Sequence, residues 1–316
     1  MHQNNYRRGN KMKLKDVLND GKLNLSFEVF PPKTSDKFES VEKAVMEIAK
    51  LKPPFMSVTY GAGGGTSEYT LELAKRIQEE NGVLTLAHLT CVSSTKETVK
   101  QRIEEYHNAG IENIMALRGD LLPEMKAEDS GKWDYVHAAD LIREIKETGY
   151  DFCIGGACYP EIHPESKNQK EDIRYLKEKV DCGCDFLTTQ MLFDNNVFYN
   201  FMYKLREAGV TVPVVAGIMP ITNSKQIERA LKLSGCYVPQ RFKSIVDRFG
   251  DDAEAMKQAG IAYATEQVVD LFSNNITNVH IYSMNNIDVA QKIQASVSKI
   301  LGKSFTCSSD SYIKVR

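Results

Sequence analysis

Hydrophobic and polar positions divide the chain into two kinds of segment that alternate from end to end. Short runs rich in β-branched and aromatic residues are separated by longer stretches with charge on one helical face. This pattern predicts eight strands, at residues 23–30, 55–60, 84–90, 114–120, 153–159, 186–192, 212–219 and 278–284. A helix is predicted after each strand, and residues 238–273 add helical structure before the eighth strand.

Eight consecutive strand–helix units without a change of composition predict an α/β fold. We expect a single (β/α)8 TIM barrel with extra helices before strand eight, rather than an open doubly wound sheet. The ends are polar and unpatterned, so we assign residues 1–20 to an N-terminal extension, 21–302 to the barrel and 303–316 to a C-terminal tail. Met1 and Met12 are both candidate starts.

Polar side chains recur at the carboxyl ends of the predicted strands. Residues two apart in a strand share a face. The pairs that share a face in this way are Ser26 with Glu28, Ser57 with Thr59, His88 with Thr90, Arg118 with Asp120, and Thr188 with Gln190. Barrel enzymes place their active sites at this end of the strands. A buried carboxylate such as Glu28 requires a partner or a water-filled cavity, so the pattern predicts a polar site there.

Composition and charge argue against several classes of protein. The chain is 42% hydrophobic, enough for a large core, and its net charge of −2 gives no basic field to attract nucleic acid. No apolar run reaches the roughly 20 residues of a membrane helix, and the first residues lack a signal-peptide core, so we expect a cytoplasmic protein. The seven cysteines lack paired C-x-x-C spacing, which argues against a disulfide framework and a zinc ribbon.

Seven segments resemble, in order and at matching intervals, the methylenetetrahydrofolate reductase family in its bacterial single-domain form. They are FEVFPPK (27–33), SVTYGAGG (57–64), AHLTCV (87–92), LRGD (117–120), YPEIHPES (159–166), TQMLFD (189–194) and GIMPITN (217–223). The resemblance extends from about residue 25 to 301. It implies FAD held at the barrel mouth, which agrees with a sequence that has neither a G-x-G-x-x-G loop nor a P-loop.

The resemblance also implies which residues contact the cofactor. The positions that match family FAD contacts are Thr59, Tyr60, Ala62, His88, Leu117, Arg118, Gly119, Asp120, His137, Ala138, Tyr159, His163, Asp172 and Lys179. Arg118 and Lys179 have the charge that a pyrophosphate requires. His137 stands where many members have a flavin-stacking tyrosine.

The reaction implied is reduction of 5,10-methylenetetrahydrofolate to 5-methyltetrahydrofolate by reduced FAD, in ping-pong order with NADH or NADPH. Glu28 is the candidate general acid, with a pKa raised by apolar neighbours, and Asp120 would stabilise a cationic intermediate. The positions expected to bind the folate are Glu28, Asp120, Gln190, Gln226 and Asn286. Besides His137, two positions depart from the family: Asn286 replaces the arginine that meets the folate glutamate tail, and the helix after Asn223 lacks an aromatic near Ala230.

Three other interpretations remain open. The same folate chemistry could take electrons from ferredoxin or a partner subunit, which requires another protein because the chain has no iron–sulfur spacing. A flavin-free lyase or aldolase would need a Schiff-base lysine at a strand end, and a folate-binding barrel would need no catalysis. The expected partners are methylenetetrahydrofolate, a nicotinamide nucleotide and further copies of the chain in a homo-oligomer, without metal, nucleic acid or membrane.

Overall fold

Eight parallel strands close into a barrel in the computed structural model, which describes residues 12–32, 34–60, 67–121 and 133–303. Each strand pairs with the next along the chain, and the eighth pairs with the first. The strands are β1 (Asn24–Val29), β2 (Phe55–Val58), β3 (Leu84–Thr90), β4 (Asn113–Leu117), β5 (Cys153–Cys158), β6 (Phe186–Thr189), β7 (Val214–Ile218) and β8 (Asn278–Tyr282). The (β/α)8 barrel predicted from the sequence is confirmed.

Helices surround the barrel and follow the predicted order. They are α1 (Leu14–Leu18), α2 (Phe38–Ala49), α3 (Ser67–Asn81), α4 (Lys96–Asn108), α5 (Ala138–Glu147), α6 (Gln169–Asp181), α7 (Asn195–Glu207), α8 (Ser224–Ser234), α9 (Gln240–Phe249), α10 (Ala253–Ser273) and α11 (Ile287–Val297). Side chains that cap the first-turn amides begin many of them, as at Asn168, Asp194, Asn223, Asp252 and Asn286. The helices α9 and α10 confirm the extra helical structure predicted at residues 238–273, before β8.

The amino-terminal half of the barrel interior is apolar and filled. Its side chains come from alternate positions of the strands and from α1, which lies within the segment predicted as an extension. They are Leu14, Val17, Leu18, Phe55, Leu86, Met115, Cys153, Phe186 and Val215. A Cβ at Gly155 would overlap the ring of Phe186, so glycine is required there for the ring to enter the barrel. The polar exceptions at this end are the buried Asn24, Asn113 and Asn278, which bond to one another or to the α1 backbone, as where the Leu14 amide donates to Asn113 Oδ1 at 2.8 Å.

The helices between β7 and β8 pack on one another as a separate apolar cluster beside the barrel mouth. Phe193 stacks on Phe242 with ring centroids 5.3 Å apart, and the Tyr263 hydroxyl donates to the Phe193 carbonyl at 2.6 Å. Gly260 of α10 approaches the loop after β7 so closely that a Cβ would overlap the carbonyl oxygen of Ile221. In the described ranges, no helix has both the length and the apolar character needed to cross a bilayer.

Candidate active site

A cavity of about 780 Å³ opens at the carboxyl end of the barrel, between the strand ends and the helices α4, α5 and α6. The strand residues in its lining are mostly buried and define its closed end, whereas several lining residues at α5 and α6 are exposed. Most of the polar residues predicted to share strand faces line this cavity: Glu28, Ser57, His88, Thr90, Arg118, Asp120, Thr188 and Gln190. The alternation along the strands therefore brings these residues together at one cavity.

Most of the positions that match cofactor or folate contacts of the family line this same cavity. They are Glu28, Tyr60, His88, Leu117, Arg118, Gly119, Asp120, His137, Ala138, Tyr159, His163, Asp172, Lys179 and Gln190. Ala62 lies outside the described residues. Thr59, Gln226 and Asn286 are not part of this wall. The Gln226 amide oxygen accepts a bond from the Thr222 amide at 2.9 Å, and the Asn286 amide oxygen caps α11 through the Val289 amide at 3.3 Å.

Glu28 lies at the closed end of the cavity, with 21% of its side chain exposed. The Ser57 hydroxyl is 3.3 Å from Glu28 Oε2, and His88 Nε2 is 3.7 Å from the same oxygen. Burial raises the pKa of Glu28 to about 7, against a smaller lowering by the Ser57 hydrogen bond. Burial lowers the pKa of His88 to about 4, so the contact between the two side chains is not a fixed ion pair at neutral pH. Glu28 can therefore hold or release a proton near pH 7.

A buried chain of hydrogen bonds connects Glu28, through Ser57, to His280 and Ser26. Ser26 Oγ lies 2.7 Å from His280 Nδ1 and 3.1 Å from the Val279 carbonyl, and His280 Nε2 lies 2.8 Å from Ser57 Oγ. Ser57 donates to Glu28 Oε2, so the arrangement that agrees with this bond has His280 Nε2 donating to Ser57 Oγ and the Ser26 hydroxyl donating to His280 Nδ1. Burial lowers the pKa of His280 to about 3, so its ring stays neutral and orients its neighbours.

His280 is the main site residue that sequence reasoning missed. It shares a face of β8 with Asn278 and Tyr282, and the alternation used for the other strands would have found it. Its ring stacks on Phe55 with centroids 5.3 Å apart, which fixes the ring plane. Tyr282 lines the same wall, and its hydroxyl donates to the Thr189 carbonyl.

Arg118 follows β4 and forms a two-pronged ion pair with Glu165. The Arg118 Nη1 and Nη2 atoms donate to the two carboxylate oxygens of Glu165 at 2.6 and 2.7 Å. This pairing lowers the pKa of Glu165 and raises that of Arg118. Next to it, Gly119 adopts φ +90, and a Cβ there would lie 2.9 Å from Val92 and 3.0 Å from Thr90. Only glycine fits this turn, which brings Asp120 to the cavity wall.

The loop between β5 and α6 also lines the cavity. The rings of Tyr159 and His163 meet edge to face, with centroids 4.6 Å apart. Asp172 is buried and accepts bonds from the His163 amide at 3.4 Å and the Ser166 hydroxyl at 3.0 Å, so it holds this loop. Lys179 donates to the Ala157 carbonyl at 2.6 Å, and burial lowers its pKa.

Comparison with known proteins gives consistent results. The family model described as methylenetetrahydrofolate reductase matches residues 13–298. The 5,10-methylenetetrahydrofolate reductases of Pectobacterium carotovorum subsp. carotovorum and Escherichia coli K12 are each 36% identical over 273 residues; these matches cover 86% of this chain and 89% and 90% of the two relatives. Methylenetetrahydrofolate reductase (NADH) 1 of Arabidopsis thaliana is 35% identical, with 86% of this chain and 48% of that protein covered.

One solved structure extends the comparison of the fold. It is described as an uncharacterized protein from Clostridium thermocellum that binds two copies of 5-methyl-5,6,7,8-tetrahydrofolic acid. The TM-score is 0.64 at 13% identity, and the match covers 90% of this chain and 98% of that one. At this identity the likeness concerns the barrel fold alone.

Proposed function

The chain belongs to the methylenetetrahydrofolate reductase family, a family of oxidoreductases, and on that premise we propose that it reduces 5,10-methylenetetrahydrofolate to 5-methyltetrahydrofolate with FAD as its cofactor. The observation that supports the proposal is Glu28, a buried carboxyl group with a pKa of about 7 at the closed end of the cavity. Catalytic acids need a pKa near the working pH, and a carboxyl group of ordinary acidity would be fully ionised there.

The residues in the wall fit FAD. The cavity volume of about 780 Å³ suits a large ligand. The Arg118 guanidinium, which is paired with Glu165, and the amino end of α5, at Ala138, both line the cavity and would offer positive charge to an anionic pyrophosphate. Aromatic rings at Tyr159 and His163 offer flat surfaces nearby. When bound, FAD supplies the hydride for the one-carbon unit of the folate.

We assign Glu28 as the general acid that protonates the folate. Donation to a folate nitrogen opens the methylene bridge to a cation, which accepts hydride more readily than the closed bridge. The neutral rings of His88 and His280 surround the acid without supplying a positive charge that would lower its pKa. Ser57 keeps the Glu28 side chain in one orientation. A positioned acid of this kind contributes roughly 10²–10⁴-fold to a rate.

Asp120 and Gln190 are assigned to the cationic pterin. Both line the same cavity as Glu28, and the carboxylate of Asp120 would stabilise positive charge on the substrate. The Gln190 oxygen accepts a bond from the Met191 amide at 2.9 Å, which leaves its NH₂ group for the substrate or for Tyr159. One cavity would serve the nicotinamide nucleotide and the folate in turn, which predicts ping-pong kinetics.

Anaerobic spectroscopy of the purified protein tests the proposal and identifies the donor. We expect stoichiometric yellow flavin that NADH or NADPH, added separately, bleaches and that methylenetetrahydrofolate restores. Glu28→Gln should bleach normally but recover slower by orders of magnitude. A protein that binds no flavin would contradict the proposal. Flavin that only ferredoxin or dithionite reduces would contradict direct transfer from a nicotinamide nucleotide and retain the folate chemistry.

A further inference from the structure

The two oxygens of the Glu28 carboxyl group have different surroundings. Ser57 Oγ lies 3.3 Å from Oε2, and His88 Nε2 lies 3.7 Å from the same oxygen. Among the described residues, no side chain or backbone group forms a hydrogen bond with Oε1. Glu28 lines the cavity and keeps part of its side chain exposed there. Oε1 is therefore the oxygen that a ligand in the cavity can reach.

The ring of His280 lies behind Ser57 and is held on three sides. His280 Nε2 is 2.8 Å from Ser57 Oγ, and His280 Nδ1 is 2.7 Å from Ser26 Oγ. Stacking on Phe55 fixes the plane of the ring. His280 and both serines are buried, so each of their polar hydrogens needs an acceptor among its neighbours.

The tautomer of His280 determines which oxygen of Glu28 carries the acid proton. With the ring hydrogen on Nε2, the ring donates to Ser57, Ser57 donates to Oε2, and a proton on Glu28 is placed on Oε1. With the ring hydrogen on Nδ1, Ser57 donates to the ring and accepts the Glu28 proton from Oε2. Ser26 favours the first tautomer, because its oxygen is 2.7 Å from Nδ1 but 3.1 Å from the Val279 carbonyl.

We propose that His280 is a positioning residue that donates from Nε2 to Ser57 and thereby keeps the acid proton of Glu28 on Oε1, facing the substrate. The inference rests on the proposed reduction of the folate. In the proton transfer, the Oε1–H bond breaks and an N–H bond forms on the folate nitrogen, whose bond to the methylene carbon opens. The carboxylate that remains still accepts from Ser57, and water in the cavity returns the proton.

The other titratable groups that face Glu28 leave this arrangement undisturbed. The His88 ring of β3 stays neutral and, at 3.7 Å, is too distant for a hydrogen bond. The Tyr282 hydroxyl of β8 donates to the Thr189 carbonyl, and burial raises its pKa far above neutrality. Ser57 is therefore the group that decides between the two oxygens.

Nuclear magnetic resonance of the purified protein tests the tautomer without any turnover. The chain has six histidines, which are labelled selectively with ¹⁵N, and the signal lost in His280→Gln identifies His280. We expect the ring hydrogen on Nε2 both at pH 8.5 and at pH 5.5, where Glu28 is mostly protonated. A hydrogen on Nδ1 at pH 5.5 would overturn the proposal, because Ser57 would then bind the acid proton itself.

Ser26→Ala tests the consequence for the rate. Ser26 neither lines the cavity nor touches Glu28, but its loss frees Nδ1 and allows both tautomers. The kcat for folate reduction should fall by about 2- to 10-fold, the effect of one hydrogen bond, while the KM for the folate stays unchanged.

Ser283→Ala is the matched control. Ser283 is also buried, and its hydroxyl donates to the backbone carbonyl of Glu28 at 2.6 Å without joining the chain to His280. Its removal should leave the tautomer and the kcat unchanged. The proposal is overturned if Ser26→Ala keeps the wild-type kcat, or if Ser283→Ala lowers kcat equally. Wild type that does not reduce the folate would contradict the proposed function itself, whereas the tautomer is measured independently of it.

Discussion

The pKa of Glu28 predicts a specific pH dependence of stability that Glu28→Gln should abolish. The folded state raises this pKa from 4.5 to about 7, so it binds the proton more tightly than the unfolded chain does. Stability is therefore lost as pH rises from 4.5 to 7, and the loss is constant above pH 7. A shift of about 2.5 units corresponds to about 3 kcal/mol in total. Between pH 5.5 and 8.5 the wild type should lose about 2 kcal/mol from this group.

Glutamine keeps the shape of Glu28 and its contact with Ser57, but it has no proton to lose in this range. Urea unfolding of flavin-free wild type and Glu28→Gln at pH 5.5 and 8.5, followed by circular dichroism, gives the free energies. The wild type should lose about 2 kcal/mol more than the variant over this interval. Glu178→Gln, an exposed change in the same wall, should behave like wild type. Equal pH dependence in wild type and Glu28→Gln would refute the raised pKa.

Three further predictions test other features of the structure. Asp120→Asn should slow reoxidation of the flavin by folate far more than it weakens flavin binding, as measured in separate half-reactions; complete loss of flavin would make Asp120 mainly structural. Gly260→Ala places a Cβ on the Ile221 carbonyl oxygen and should cost about 1–3 kcal/mol in chemical unfolding, and unchanged stability would contradict that close approach. Leu14→Ala should cost about 2–5 kcal/mol, because Leu14 is fully buried against the barrel interior, whereas Met12→Ala, at a position 63% exposed, should cost little.

The barrel could be predicted because the hydrophobic pattern of each strand is set by that strand's own sequence. In strands such as β1 and β3, residues of the outer core alternate with residues that line the barrel interior or the cavity, and that alternation is visible in the sequence without any knowledge of neighbouring strands. The strand ends were less accurate: β4 ends at Leu117 and β6 at Thr189, three residues before the predicted ends in each case. Polar residues such as Asp120 and Gln190 continue the alternating pattern after the ladder has ended, since ladder bonds require a neighbouring strand at the same level.

The site was predictable only where strand alternation or family motifs pointed to it. The same alternation applied to β8 indicates His280, whereas the family resemblance pointed to Asn286, after the strand. Pairs that join distant elements have no local signal. Arg118 and Glu165 are 47 residues apart, and both side chains look like ordinary solvated charges in the sequence.

For two residues that match folate contacts of the family, the residue type alone does not identify the role. Asn286 is an N-cap of α11, and Gln226 bonds the backbone just before α8. An asparagine is favoured at a helix start whether or not a ligand is nearby, so its residue type does not separate a cap from a folate contact. Their roles in folate binding remain predictions, which variants at each position can test through the KM for the folate.

Single-turnover mixing tests the central claim most directly. Protein whose flavin has been reduced anaerobically is mixed with methylenetetrahydrofolate, and the flavin absorbance and the folate products are followed together. The account predicts return of the oxidised flavin band with one equivalent of 5-methyltetrahydrofolate per flavin. A band that stays bleached, or that returns without 5-methyltetrahydrofolate, would contradict it.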